Sequence, residues 1–213
     1  AKTGLEEFKT LVEEERKILP EDAGWTAYLA DIDSVAETPL KDAISLNGVA
    51  KSEAFTEWYA TNVYAQRQPG YAVVSVTLPL GDATADQFRL MADLARKYIN
   101  DTIRTTVEQN IVYRWVSEAD IPELYASLDA AGLGGPGASS IVDVTACPGT
   151  DTCKLGIASS RGLAAELRTQ LAAKSASLDA AIKSLRIKIS GCFNSCGQHH
   201  VADLGFYGIS RKV

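Results

Sequence analysis

The sequence predicts an α+β fold in which a split β-α-β unit is followed by a mixed α/β domain that carries every cysteine of the chain. Three observations predict it. Between about residues 57 and 133 an alternating apolar run, a capped amphipathic stretch, a second strand-forming run and a second capped helix follow one another. A glycine-rich stretch, Gly132-Leu-Gly-Gly-Pro-Gly137, then interrupts the pattern. Beyond it lie Cys147, Cys153, Cys192 and Cys196, spaced as C-x5-C and C-x3-C with 38 residues between the pairs.

Residues 5–19 place Leu5, Phe8, Leu11, Val12 and Leu19 at helical spacing, and Pro20 ends that helix. The acidic run Glu13 to Glu15 reads as its solvated face. Residues 20–56 show no strong period and read as a long connection, with a short helix near Glu53 to Trp58. From Tyr71 to Leu80 the residues alternate, which puts Val74, Val76 and Leu78 on one face of a strand. Gly81-Asp82 turns the chain, and Thr84 with Gln87 makes a capping box for a helix whose apolar face is Phe88, Met91, Leu94 and Tyr98. A second strand is expected from about Arg104 to Val116. Asp120 with Glu123 caps the next helix, which turns Leu124 and Leu128 inward and stops at Gly132. Past the linker, which matches no G-x-G-x-x-G or G-K-[ST] phosphate cradle, a short strand from Ile141 to Val144 leads into the first cysteine pair. A helix from about Leu155 to Ala173 follows, with Leu163, Leu167 and Leu171 on one face and Gly156, Ala158 and Gly162 as small residues near its start. Arg186 to Ile189 is a strand feeding the second pair, and Leu204 to Ile209 is another after it.

Four cysteines are the ligand number of a tetrahedral zinc or of an iron-sulfur cluster. The spacing is loose for a zinc ribbon, and a loop of five intervening residues suits a bulky cube with irons at separate corners. On spacing alone, zinc and a pair of disulfides stay open. On the second predicted strand, alternation puts Arg104, Thr106, Glu108, Asn110 and Arg114 on one face and Gln109 on the other. Such a polar row is ordinarily the solvent side of a half-buried sheet. Neighbouring His199 and His200 point in different directions at a helix start, which gives them supporting roles rather than ligation, and Lys154 reads as a surface charge.

With 46% hydrophobic and 23% charged residues over 213 positions, the chain can bury a real core. A net charge of -6 points to neither nucleic acid nor an anionic membrane surface. No apolar run of about 18 residues suggests a membrane helix, and a cytoplasmic location is expected. The chain begins at Ala1, its one methionine is Met91, and Leu204 to Val213 alternate without a closing turn, so an excerpt of a longer protein is expected.

The residues around the cysteines carry a resemblance that spacing does not. Val144-Thr-Ala-Cys-Pro-Gly-Thr-Asp-Thr-Cys-Lys-Leu-Gly156 and Ser190-Gly-Cys-Phe-Asn-Ser-Cys-Gly-Gln-His-His200 resemble, in order and spacing, the two cluster loops of the sirohaem-dependent nitrite and sulfite reductases. The resemblance implies that Cys147, Cys153, Cys192 and Cys196 hold a 4Fe-4S cluster, with Cys196 also bridging to the sirohaem iron. The stretch Arg104-Thr-Thr-Val-Glu-Gln-Asn110 resembles the family strand that lies along the sirohaem, whose many carboxylates call for Arg forks and for amide or hydroxyl donors. Carried over by position, Arg104, Thr106, Gln109 and Asn110 are donors to the macrocycle, with Arg114 a further candidate. Thr145 would offer its hydroxyl to a sirohaem carboxylate or to a local turn, while Asn194 and Gly197 would shape the second loop and turn amides toward the cluster.

The same resemblance implies a ferredoxin-like half-domain at 57–133 and a 4Fe-4S and sirohaem-binding domain at 138–213 that is incomplete at its C-terminus. Residues 1–56 would be the end of a preceding domain and a linker. The implied activity is six-electron reduction of sulfite to sulfide, or of nitrite to ammonia, fed by a ferredoxin or flavoprotein. The N-terminal half of the same protein is the implied partner, and it would supply the Arg and Lys pocket for the anion. Nothing in these residues matches that pocket, so the catalytic side chains are expected outside the chain. Two other readings stand beside this one, a cluster-only electron-transfer or scaffold module and a zinc-stapled interaction domain.

Overall fold

The computed structural model describes residues 4–34, 37–47 and 52–211, so residues 48–51 of the expected connection and the last two positions lie outside the described residues. The chain divides into two compact units, Ala1–Thr38 and Pro39–Val213. The smaller holds α1 (Leu5–Ile18), with Glu6 and Glu7 in its first turn and Arg16 and Lys17 in its last, the charge order a helix dipole favours. It also holds a helix where a connection was expected, α2 (Ala23–Ser34). The apolar residues of α2 are not gathered on one face, so periodicity gave no signal, and the Asp22 carboxylate instead accepts the Gly24 N–H at 2.7 Å at its start. Among the described residues, no helix is long and apolar enough to cross a membrane.

The larger unit begins its regular structure with α3 (Glu53–Asn62), longer than expected and capped by the Ser52 hydroxyl, which accepts the Phe55 N–H. Strands β1 (Val63–Ala65), β2 (Tyr71–Val76), β3 (Ile103–Thr105) and β4 (Ile111–Ser117) form an antiparallel sheet in the order β1-β2-β4-β3. Strand β1 was not foreseen. Val74, Val76 and Leu78 are buried as their alternation requires, but β2 stops at Val76 because Pro79 and Leu80, the latter at φ 60°, bend the backbone. The capping box on α4 (Ala85–Tyr98) forms in both directions between Thr84 and Gln87. Met91, Leu94 and Tyr98 turn inward together with Ala95. Phe88, expected with them, is exposed and borders an open cleft beside Leu78, Leu80 and Arg161.

The expected long strand from Arg104 to Val116 is instead a hairpin. Gln109 takes φ 66°, its N–H donates to the Thr106 carbonyl at 3.1 Å, and Thr106 N donates to the Asn110 carbonyl at 3.0 Å. The strand folds back on itself, pairing Arg104 with Val112 and Thr105 with Ile111. Arg104, Thr106, Glu108, Asn110 and Arg114 therefore do not share one face. In α5 (Ile121–Ala130), Asp120 does not cap: it has helical dihedrals, and its carboxylate pairs with Lys41 Nζ at 2.9 Å. Leu124 and Leu128 are buried, and Gly132 at φ 72° ends the helix, with Leu133 N donating back to the Leu128 carbonyl.

The glycine linker is fastened rather than loose. Asn62 donates to the carbonyls of Ser75 and Gly135 and accepts from Ala138 N, while Thr77 also donates to the Gly135 carbonyl. Beyond it, β5 (Thr145–Ala146), β6 (Ile187–Ser190) and β7 (Leu204–Tyr207) form a parallel sheet in that order. The first of these replaces the strand expected at Ile141–Val144. Helix α6 (Ser160–Lys174) starts five residues later than expected: Ile157 and Ala158 turn their N–H groups to the Gly191 carbonyl, and the Ser159 hydroxyl then caps the helix by accepting the Gly162 N–H. Ile187 and Ile189 pack with Val144, Ala146 and Ala164, and Leu167 and Leu171 flank them, whereas Leu163 is exposed. A single turn of helix, α7 (Ala180–Lys183), precedes β6.

Candidate metal centre

Parallel pairing sets the geometry of the cysteine loops. Thr145 lies opposite Lys188 and Ala146 opposite Ile189, so the C-terminal ends of β5 and β6 fall on the same side of the sheet. Cys147 follows β5 directly, and Cys192 stands two residues past β6. Both loops thus leave the C-terminal end of the sheet, the place where open α/β sheets present ligands.

Glycines let these loops touch. A Cβ on Gly191 would stand 2.5 Å from Gly149 Cα, one on Gly156 2.6 Å from the Gly149 carbonyl carbon, and one on Gly208 2.4 Å from the Gly191 oxygen. Hydrogen bonds close the same junction. Gly191 N–H donates to Cys147 Sγ at 3.1 Å, and Ile157 and Ala158 N–H donate to Gly191 O at 2.9 and 3.0 Å. Ser160 Oγ donates to the Cys147 carbonyl at 2.7 Å and lies 3.5 Å from its sulfur. Burial pushes the Cys147 thiol up, but the Gly191 N–H, the Ser160 hydroxyl and the Gly149 N–H together hold it below the ordinary thiol value.

All four cysteines are free thiols; Cys147 and Cys192 are buried, and Cys153 and Cys196 are exposed. Among the described residues, no three Cys, His, Asp or Glu side chains gather as ligands of one ion. A 4Fe-4S cube bonds each of four thiolates to a different iron. The donor set and the side-chain-free junction of the two loops fit a cluster.

The remaining expected residues scatter. Arg104 is exposed on β3, and half-buried Thr106 closes the hairpin turn by accepting the Asn110 N–H. Gln109 spends its amide on Ala146, donating to its carbonyl at 2.9 Å and accepting its N–H at 3.2 Å. Asn110 is buried, accepts the Leu78 N–H at 2.9 Å and donates to Asp143 at 2.8 Å. Thr145 is buried on β5, Asn194 is exposed in the second loop, and Lys154 is exposed in the first. His199 sits 2.9 Å from Ser190 Oγ and stacks on Tyr207, while His200 pairs with Ser195 Oγ. Residues that sequence reasoning missed include Ser160, Asp143 and Arg161. Arg161 joins the Leu80–Asp82 turn to Asp151, inside the first loop, by donating to the Leu80 carbonyl at 3.0 Å and pairing with both carboxylates. Only Gly156 and Ala158, singled out as small residues, hinted at the close approach.

Comparison with known proteins agrees with this geometry. Residues 64–131 match the family model "Nitrite/Sulfite reductase ferredoxin-like half domain", and residues 137–213 match "Nitrite and sulphite reductase 4Fe-4S domain". "Sulfite reductase [ferredoxin] 1" of Mycolicibacterium paratuberculosis is 31% identical over 96% of this chain and 33% of its own length. "Ferredoxin--nitrite reductase, chloroplastic" of Spinacia oleracea is 28% identical over 91% of this chain and 32% of its own. The solved "Structure of Mycobacterium tuberculosis NirA protein" superposes with a TM-score of 0.61 at 27% identity, covering 84% of this chain and 30% of that one. The chain spans about a third of the length of these relatives. With two successive domain models matched in order, and the 4Fe-4S match spanning both cysteine loops, the chain belongs to the nitrite and sulfite reductase family.

Proposed function

We propose that this chain is the cluster- and sirohaem-holding part of a reductase that carries out the six-electron reduction of sulfite to sulfide or of nitrite to ammonia. The observation that carries the reading is the junction at Gly149 and Gly191, which brings two free-thiol loops together at one end of a parallel sheet. Buried Cys147 and Cys192 and exposed Cys153 and Cys196 would hold the cluster, and Cys196 would also hold sirohaem. When bound, the cluster and sirohaem supply one-electron transfer and the reducing centre. The chain's own residues place the thiolates, and the Gly191 N–H aimed at Cys147 Sγ stabilises negative charge on that sulfur. Arg104 on β3, Thr106 at the hairpin turn, Thr145 on β5 and Asn194 in the second cysteine loop are candidates in this chain for donors to sirohaem carboxylates. Gln109 and Asn110, the other two candidates, also bond within the chain, Gln109 to Ala146 and Asn110 to Leu78 and Asp143. The division at the glycine linker into 57–133 and 138–213 belongs to this reading.

Relatives named as ferredoxin-dependent favour a ferredoxin over a flavoprotein as electron donor. The substrate pocket would come from the N-terminal half of the protein, and with it the choice between sulfite and nitrite. The test is the visible absorption spectrum of the purified protein, with iron, acid-labile sulfide and zinc assayed on the same sample. Sirohaem bands with about four cluster irons per chain are expected. Cluster absorption without tetrapyrrole bands would leave a cluster-only electron carrier, and a colourless protein with about one zinc per chain would replace the reductase reading with a zinc-stapled domain.

A further inference from the structure

We propose that Gln109 is a positioning residue for the first cysteine loop: its side-chain amide completes the open edge of β5 as a neighbouring strand would, and so holds Ala146 and Cys147 in place. Strand β5 is the edge of its sheet. Cys147 turns its N–H to β6, donating to Ile189 O at 3.1 Å, so by strand alternation Ala146 turns its N–H and carbonyl to the other side, where no strand of the described residues lies. Ala146 is 1% exposed, so water does not serve these groups, and buried backbone groups need partners. The Gln109 amide serves both, at 2.9 and 3.2 Å.

The surroundings are built for that reach. Gln109 takes a left-handed conformation that few side chains adopt, and Gly81 opposite leaves it room, since a Cβ there would stand 3.1 Å from Gln109 Cβ. The hairpin that carries Gln109 is anchored through Asn110 to Leu78 and Asp143. One side chain of the first sheet thereby sets the residue preceding Cys147. The resemblance had assigned Gln109 to a macrocycle; here its amide is engaged at both ends within the chain.

The inference rests on reading the Cys147 loop as a cluster loop, and the experiment separates the two. Hydrogen exchange at the Ala146 amide is compared in the purified wild-type chain and in Gln109→Met and Gln109→Asn variants, each rate taken relative to its unprotected value. Gln109→Met keeps the volume and removes both bonds, so exchange is expected to rise about ten-fold or more. Gln109→Asn keeps the amide and suits the left-handed backbone, but it is one methylene shorter and cannot span both Ala146 groups, so exchange is expected to rise here too. This second variant also decides the question if Gln109→Met does not fold. Unchanged exchange in either variant overturns the proposal. On the cluster-loaded chain, Gln109→Met should also shift the cluster's midpoint potential. Gln87→Met, which removes a similar amide bond to Ala131 far along the chain, should lower stability without that shift. Equal shifts in both would reduce Gln109 to general support and overturn the proposal. A chain that binds zinc in place of a cluster would end the reductase reading while leaving the exchange result to stand on its own.

Discussion

At the scale of single residues, contacts that exclude a side chain matter as much as those that use one. Gly191 has no room for a methyl group, because Gly149 Cα and the Ala158 oxygen stand 2.5 and 2.9 Å from where it would lie. Both are backbone atoms, so neither can rotate away. Gly191→Ala is therefore expected to cost about 1–3 kcal/mol and to force the cysteine loops apart; a urea melt reads the first, and iron retained per chain the second. Asp143 carries a different signature. Burial pushes its carboxyl up, against the pull of the Ser139 N–H, the Asn110 amide and Arg168, while Glu108 pushes the same way as burial. An acid whose folded value is raised favours folding while protonated, and that contribution is lost as pH rises from the ordinary carboxyl range through the raised folded value. Asp143→Asn should flatten this loss, so urea midpoints of variant and wild type, compared from acid to neutral pH, should diverge in the variant's favour. A gap that does not change with pH would refute the assignment.

At the scale of elements, the hairpin β3–β4 is where local and tertiary information part. Its strands are rich in β-formers, but nothing in Val107-Glu-Gln109 marks a turn: there is no glycine and no Asn-Gly pair. The turn exists because Thr106 and Asn110 close it and because Asn110 is bound from both sides, by Leu78 N and Asp143. Asn110→Ala would orphan a buried donor and a buried acceptor and should cost roughly 2–4 kcal/mol, read as a lowered urea midpoint with an unchanged slope. The start of α6 teaches a related lesson. Leu155 to Ser159 look helical in sequence, yet Ile157 and Ala158 give their N–H groups to Gly191 across the cysteine junction. By contrast the capping box on α4 involves residues three apart, and it was legible because its partners are neighbours in the chain.

At the scale of the whole molecule, burial is uneven. Helix α1 buries none of its residues, while α4 and α5 present fully buried faces to the first sheet. A 14-residue helix with no packed face is marginal in water. Amides of Leu5–Ile18 should therefore exchange close to unprotected rates while those of α4 and β4 stay protected, which hydrogen exchange by mass spectrometry measures directly. Full protection of α1 would show that something covers it. The sequence by itself determined the broad fold class, both amphipathic helices of the half-domain, the strands feeding and following the second cysteine pair, and four thiols in two loops. These rest on residue type and short spacing, which are local. Only the tertiary structure decided that Gln109 and Asn110 serve the protein's own backbone, that the loops meet through Gly149, Gly156, Gly191 and Gly208, and that Arg161 ties Asp82 to Asp151. Most of their partners lie tens of residues away in the chain. A side chain able to serve several acceptors gives no sign in sequence of which one the fold will bring to it.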